Sequence, residues 1–277
     1  MTLTVGSLFS GIGGLDLGLE RAGMDVIWQS EIDPYACKVL AKHWKDIPNH
    51  GNIKEIKWAD IIRPDVICGG YPCQPFSTAG RRNGENDPRH LWPWVRTAIS
   101  ELRPKYAILE NVRGHLTMGF DKVLGDLATI GYDAQWQIVS AASVGAPHRR
   151  DRIIIVAYPQ SYGQRGRYFN CSGKIQERDE VQIETRGSSC IMADNDSQRY
   201  GINGAQGVTG QTHLFWRHNA RRKAANVSRQ WWASEPDVGR VAHGIPARVD
   251  RLRGLGNAVV PQVAELIGRM VVDYDNQ

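Results

Sequence analysis

The sequence predicts an α/β chain whose mostly parallel sheet carries one antiparallel strand, and three observations predict it. Short β-rich runs alternate with helical stretches through residues 1–158. The last two of these runs are joined by a polar loop too short for a helical crossover, and an apolar stripe near the C-terminus needs a core that lies far back in the chain. Strand, helix, strand in repetition places helices on both faces of a parallel sheet.

The strand-like runs are Leu3 to Phe9, Met24 to Gln29, Asp65 to Cys68, Tyr106 to Leu109, Ala134 to Val139 and Ile153 to Ala157. Between them Leu15, Leu19 and Ala22 fall on one helical face, and Val95, Ile99 and Leu102 on another. Only Ser140 to Asp151 separates the last two runs, which pairs them antiparallel. From Pro159 the apolar periodicity vanishes and Gly, Asn, Ser, Gln and Arg dominate, so residues 159–230 form either a small irregular domain or a functional insertion. Order returns near Trp231. Pro261 then opens a stretch in which Val263, Leu266, Ile267, Met270 and Val271 recur at helical spacing. That helix needs a large core to cover, so residues 231–277 are expected to return to the unit formed by residues 1–158. No internal repeat is visible.

The 277 residues are 42% hydrophobic, 23% charged and 8% aromatic, a globular balance that excludes disorder, collagen and coiled coil. No apolar run approaches the ~18 residues that span a bilayer. The opening residues lack the basic start and apolar stretch of a secretory signal, so a cytoplasmic location with no membrane partner is expected. Five cysteines (Cys37, Cys68, Cys73, Cys171, Cys190) share no CxxC or Cys/His ligand spacing, which speaks against a disulfide framework or a bound metal. The net charge is +5 and sits in one place. Residues 160–230 hold eleven basic side chains against six acids, and the rest of the chain holds 23 of each sign. A neutral body with a basic, polar insert points to a polyanion partner, with a solvated surface segment as an equal alternative.

Chemistry gathers where the strands end. The first strand runs into Phe9-Ser10-Gly11-Ile12-Gly13-Gly14 and then a helix, a turn that lets backbone approach a nucleotide-like ligand closely. Asp16 stands where the third glycine of a dinucleotide fingerprint would fall, which disfavours NAD and FAD. Glu31, 20 residues after Gly11, can accept hydrogen bonds from both hydroxyls of a ribose. With no Lys and no phosphate signature in the turn, an adenosine ligand without a triphosphate fits, such as S-adenosylmethionine. After the third strand, in Gly69-Gly70-Tyr71-Pro72-Cys73-Gln74-Pro75-Phe76-Ser77, a thiol stands between two stiffening prolines at the same sheet edge. Cys73 is thus a candidate nucleophile, and Arg81, Arg82 and Arg89 would favour its thiolate. Cys68, inside the strand, reads as inert core. The fourth strand ends in Glu110-Asn111-Val112, which adds a carboxyl at the neighbouring strand end.

These motifs, together with His148-Arg149-Arg150-Asp151-Arg152 and Gly256-Asn257-Ala258-Val259-Val260-Pro261, resemble in order and approximate spacing those of the cytosine-5 DNA methyltransferases. The likeness runs from one end of the chain to the other except across the basic insert, where that family varies its target-recognition region. The resemblance implies a Rossmann-like fold of the S-adenosylmethionine-dependent methyltransferases. It divides the chain into a catalytic domain over residues 1–158, a target-recognition region over 159–230 and a returning C-terminal segment over 231–277. The implied activity is methyl transfer from S-adenosylmethionine to carbon 5 of a cytosine flipped out of a specific sequence of duplex DNA. The resemblance implies a protein of bacterial or phage type, either paired with a restriction endonuclease in the same host or standing alone, and one flipped base per event requires only a monomer.

The chemistry explains the residue types. Carbon 5 of cytosine is a poor nucleophile until a thiolate adds to carbon 6, the role that the resemblance gives Cys73. Glu110 is implied to protonate or hydrogen-bond ring nitrogen 3, a task suited to a carboxyl whose pKa burial has raised. Arg150 and Arg152 are implied to hold the carbonyl oxygen of the flipped base and the flanking phosphates. The base that removes the carbon 5 proton has no candidate side chain, and water is expected. Thr78 to Trp92 resembles the loop that closes over DNA in this family. Gln74, Ser77, Arg81, Arg82, Arg89, Arg221, Arg222 and Lys223 are the candidate DNA contacts.

The implied cofactor contacts are Phe9 against the adenine, Gly11, Gly13 and Gly14 against the methionine part, and Glu31 on the ribose. Asn52, Ile53 and Pro72 join them, with Asn257 and Val259 near the methionine end. Three departures from the family pattern stand out. Asn52 occupies the place where an Asp usually meets the adenine amino group, although an amide oxygen can accept the same hydrogen bond. The Arg-rich motif begins with His148 where Gln is usual, and the segment before Gly256 does not match the family. Two rival readings keep the same fold. A relative that methylates cytosine in RNA would share the catalytic motifs, but a long basic insert suits a groove reader. A non-catalytic DNA-binding module would need neither the thiol nor the carboxyl. Methylation of an exocyclic amino group would need a Pro-Pro acceptor loop, and the chain contains no Pro-Pro pair.

Overall fold

The structure is a computed structural model that describes residues 1–72, 91–163 and 248–276. Its elements in chain order are β1 (Thr4–Leu8), α1 (Gly14–Arg21), β2 (Asp25–Ser30), α2 (Pro34–His43), β3 (Val66–Gly70), α3 (Trp92–Leu102) and β4 (Tyr106–Val112). They continue with α4 (Phe120–Thr129), β5 (Tyr132–Val139), β6 (Arg152–Pro159), the single turn α5 (Gln160–Gly163), α6 (Arg248–Asn257) and α7 (Pro261–Asp275). The sheet order is β2-β1-β3-β4-β6-β5. The first four strands in that order pair in parallel, whereas β6 runs antiparallel to both of its neighbours. This is the mostly parallel sheet with one reversed strand that the spacing predicts, and it is the Rossmann-like arrangement.

Alternation along the strands divides the core into two layers. In β4, Tyr106 and Ile108 face one layer while Ala107 and Leu109 face the other, as the two-residue period of a strand requires. The first layer is covered by α1 and α7. Val263, Leu266, Ile267, Met270 and Val271 are all buried there against Leu15 and Leu19, so the C-terminal helix does return to the N-terminal core. The second layer is covered by α3 and α4 through Val95, Ile99, Leu102, Val123 and Leu127. Among the described residues, no helix is long and apolar enough to cross a membrane.

Several strands run further than their apolar stretches suggest, β6 among them at both ends. β3 continues through Gly70 and β4 through Val112, so Glu110 lies within its strand, paired with Gly70 on one side and Ile154 on the other. A polar residue can hold a strand position when neighbours on both sides supply the ladder, which an apolar pattern cannot reveal. β5 likewise starts early, at Tyr132. Two helices carry weak sequence signals. α2 buries only Ala36 and Leu40 and owes its start to Asp33, whose side chain accepts from the Tyr35 and Ala36 N–H groups ahead of Pro34. α4 begins after Gly119 at φ 77° and buries Phe120, Val123 and Leu127 along one side. The expected insert lies outside the described residues beyond Gly163, and so does the expected return of order near Trp231. Described structure resumes with α6 at Arg248.

Candidate active site

The turn from β1 to α1 is built on left-handed backbone. Phe9, Gly11 and Gly13 have φ of 52°, 56° and 84°. For a bulky residue such as Phe9 that conformation is strained, of order 1–3 kcal/mol, and its ring is packed against the second core layer. The neighbouring glycines serve different ends. A Cβ at Gly11 would meet only the Phe9 carbonyl oxygen, at 3.9 Å, so its side stands open to a ligand. A Cβ at Gly14 would stand 2.4 Å from the Val259 carbonyl oxygen, so Gly14 lets the start of α1 and the segment before α7 meet backbone to backbone.

At the end of β2 the Glu31 carboxyl is held from three sides. Its Oε2 accepts from the Gly11 N–H at 2.8 Å, and its Oε1 accepts from the N–H groups of Ile32 at 2.8 Å and Asp33 at 2.7 Å. Backbone donors thus fix its direction while lone pairs remain for ligand hydroxyls. Asn52 is also oriented: its Oδ1 accepts from the Lys54 N–H at 3.2 Å and its Nδ2 donates to Glu55 Oε1 at 2.8 Å. Ile53 beside it is buried.

The second half of the site is built by β3, β4 and β6. Arg152 opens β6 opposite Val112, and its Nε donates to Glu110 Oε1 at 2.8 Å. Glu110 is only 8% exposed. Burial raises its pKa, and the charges of Arg152 and Arg150 oppose that rise without cancelling it. A Cβ at position 70 would come within 2.9 Å of Glu110 Oε2, so Gly70 makes room for the carboxyl at the strand end. Arg150 takes a different position from its neighbour. With φ 40°, it sends Nη2 to the carbonyl oxygens of Gly256 and Ala258 at 2.7 and 2.6 Å. It braces the turn between α6 and α7 against the Arg-rich loop, and burial lowers its own pKa.

One cleft of about 850 Å³ joins the two halves. Phe9, Gly11, Gly14, Glu31, Asn52, Ile53, Pro72, Glu110, Arg152, Asn257 and Val259 all line it. Gly13 and Arg150 do not. They line a neighbouring recess of about 1000 Å³ that shares Gly14, Arg152 and Val259 with the cleft. Cys73, Gln74, Ser77, Arg81, Arg82 and Arg89 lie outside the described residues, as do Arg221, Arg222 and Lys223. Cys68 is fully buried with its thiol pKa pushed up by burial, which keeps it protonated.

Several residues that support the site are given no role by the sequence. Asn111 is buried and donates from Nδ2 to the Tyr71 carbonyl at 3.1 Å. The Tyr71 hydroxyl meets His115 Nε2 at 2.8 Å, and its ring packs at 5.3 Å against Trp92. The chain is therefore anchored immediately before Pro72 and again at the start of α3. On the opposite side of the cleft, Arg253 of α6 lies 3.8 Å from the Asp33 carboxyl. Asp16, Ser7 and Gln29 form a buried polar group behind the glycine turn. The signal that could have found them is polar residues inside otherwise apolar runs, such as Ser7 in β1 and Gln29 in β2.

Comparison with known proteins adds to this geometry. A family model described as C-5 cytosine-specific DNA methylase matches residues 3–232. The chain is 37% identical over 166 residues to the Type II methyltransferase M.BsuFI of Bacillus subtilis, which covers 58% of this chain and 40% of that one. It is 36% identical over 169 residues to the Type II methyltransferase M.NgoMIV of Neisseria gonorrhoeae, covering 58% and 54%. The chain thus spans about half the length of these curated relatives. In fold it is similar to the Dnmt2 methyltransferase of S. pombe, with a TM-score of 0.56 at 18% identity over 99% of each chain.

Proposed function

The chain belongs to the C-5 cytosine-specific DNA methylase family, and on that premise we propose that it methylates carbon 5 of cytosine in a specific sequence of duplex DNA, using S-adenosylmethionine. The observation that carries this reading is the single cleft that joins the Glu31 end to the buried Glu110–Arg152 pair. A ligand held at Glu31 and a base held at Glu110 would face each other across it. The residues suit the cofactor: Gly11 leaves an open side, Glu31 offers free lone pairs in a fixed direction, and Phe9 presents a ring at the cleft wall. When bound, the cofactor supplies an activated methyl group on a sulfonium.

Protein groups do the rest. The Cys73 thiolate adds to carbon 6 of a cytosine flipped out of the helix. Glu110, whose pKa burial raises, donates a proton to ring nitrogen 3 and so relieves the electron pair's developing charge there. The Arg152 guanidinium fixes that carboxyl and can reach the carbonyl oxygen of the same base. Carbon 5 is then nucleophilic and takes the methyl group. Loss of the carbon 5 proton to water lets the carbon 6–sulfur bond break, and return of the ring nitrogen 3 proton to Glu110 then restores the aromatic ring, the carboxyl and the thiolate. In this reading residues 1–158 are the catalytic domain, 159–230 the target-recognition region and 231–277 the returning segment. The protein works as a monomer in the cytoplasm, beside a restriction endonuclease of the same target.

Bisulfite sequencing of DNA from an expressing host tests the activity. Cytosines protected within one recurring sequence, and unprotected in a host making Cys73→Ala, are expected. Uniform conversion everywhere would overturn the DNA reading, and protection of cytosines in the host's RNA would replace it with the RNA rival.

A further inference from the structure

Asp16 is fully buried in the first turn of α1, yet the mechanism above gives it no task. Its Oδ2 accepts from the Ser7 hydroxyl at 3.0 Å and its Oδ1 from Gln29 Nε2 at 2.8 Å. Ser7 in turn accepts from the Ser10 hydroxyl at 2.9 Å, and Ser10 lines the cleft. Among the described residues no ion pair reaches Asp16. The titratable groups that face it are Glu20, one helical turn further along α1, and the neutral Cys68 thiol on β3. An apolar core would be cheaper to build here than an unpaired carboxyl.

The field at the cleft floor suggests what the carboxyl is for. α1 starts at Gly14, so its free N–H groups and the positive end of its dipole stand at the cleft wall. Such an end favours anions, as in phosphate sites, and would repel a sulfonium. A carboxylate in the first turn offsets it. It also sets the direction of the hydroxyl chain: an acceptor-only Asp16 makes Ser7 donate inward and Ser10 donate to Ser7, which leaves lone pairs of Ser10 at the cleft. We propose that Asp16, acting behind the glycine turn, makes the cleft prefer a cationic methyl donor to its neutral demethylated product. The proposal rests on the cofactor reading above. The ligand loses its positive charge when the methyl group leaves, and with it the support that Asp16 provides.

Burial raises the Asp16 carboxyl to about 6, so the preference can be titrated. Ionised Asp16 supports the cationic ligand, and that support is present above this value and lost as the pH falls through it. Calorimetric titration of the full chain with S-adenosylmethionine and, separately, S-adenosylhomocysteine between pH 5 and 8 reads it directly. The ratio of the two dissociation constants isolates the sulfonium charge, and comparison with Asp16→Asn separates Asp16 from Glu110, the cleft carboxyl whose pKa is also raised. The wild-type ratio is expected to shift against S-adenosylmethionine by roughly three- to tenfold toward pH 5. In Asp16→Asn the ratio should already stand shifted at pH 8 and stay flat. A flat wild-type ratio, or an Asp16→Asn that weakens both ligands equally, would overturn the proposal and leave Asp16 a purely structural residue. Failure of both ligands to bind the wild type would instead remove the cofactor reading on which it rests.

Discussion

Glu31 and Glu110 occupy equivalent places, each near the carboxyl end of a strand and both on one cleft, yet the fold treats them in opposite ways. Glu31 receives three backbone N–H groups and stays partly exposed. Glu110 receives one guanidinium, is closed off by Gly70, β4 and β6, and has its pKa raised by burial. Backbone donors around a carboxylate make a fixed acceptor, suited to hydroxyls that must be bound. Burial with a single partner makes a carboxyl that can hold or release a proton, suited to a base that must be activated. In the proposed function one end of the cleft binds and the other carries out proton chemistry.

Substitution at each end should separate those roles, with the larger effect at Glu110. Glu110→Gln keeps shape and a hydrogen bond to the base but removes the transferable proton. Turnover is expected to fall about 10²- to 10⁴-fold, with the cofactor dissociation constant changed by less than about threefold. The sign of the pH dependence follows from the raised pKa: the acid form is the donor, so wild-type turnover holds below that pKa and falls as the pH rises through it. The falling limb should be absent in Glu110→Gln. Unchanged turnover would assign the proton to another group.

Glu31→Gln should show the reverse split. Losing a charged acceptor to a ribose costs about 1.5–3 kcal/mol, so cofactor affinity should weaken about 10- to 100-fold while the maximal rate at saturating cofactor changes little. Equal losses in rate and affinity would mean that the two ends of the cleft are not independent.

The comparison also shows how far the residues could be read without coordinates. Glu31 and Glu110 were both legible because each stands at the end of an apolar run, the first at a fixed distance from Gly11 and the second in Glu110-Asn111-Val112. The layering of the sheet and the return of α7 were legible for a similar reason, since Val263, Leu266, Ile267, Met270 and Val271 display one buried face. What the sequence could not show is contact between distant segments. Nothing in Arg150-Asp151-Arg152 says that Arg152 turns to Glu110 while Arg150 turns to the Gly256 and Ala258 carbonyls; that division depends on the φ of 40° at Arg150. Gly14 looks like a ligand-binding glycine in the motif, yet what a side chain there would strike is the Val259 backbone. Asp16 read only as a missing third glycine, because burial and the Ser7 and Gln29 donors appear once β1, β2 and α1 are assembled.

The central claim of the proposed function is that cytosine is activated through a covalent bond to Cys73, with Glu110 acting on the same ring. Duplex DNA carrying 5-fluorocytosine in its target, incubated with the protein and S-adenosylmethionine, tests it most directly, because fluorine cannot leave carbon 5 as a proton does and the adduct is trapped. Mass spectrometry is expected to find one DNA strand bound per chain through Cys73, dependent on the cofactor and absent in Cys73→Ala. Methylated DNA with no trapped adduct, or an adduct that persists in Cys73→Ala, would contradict the account.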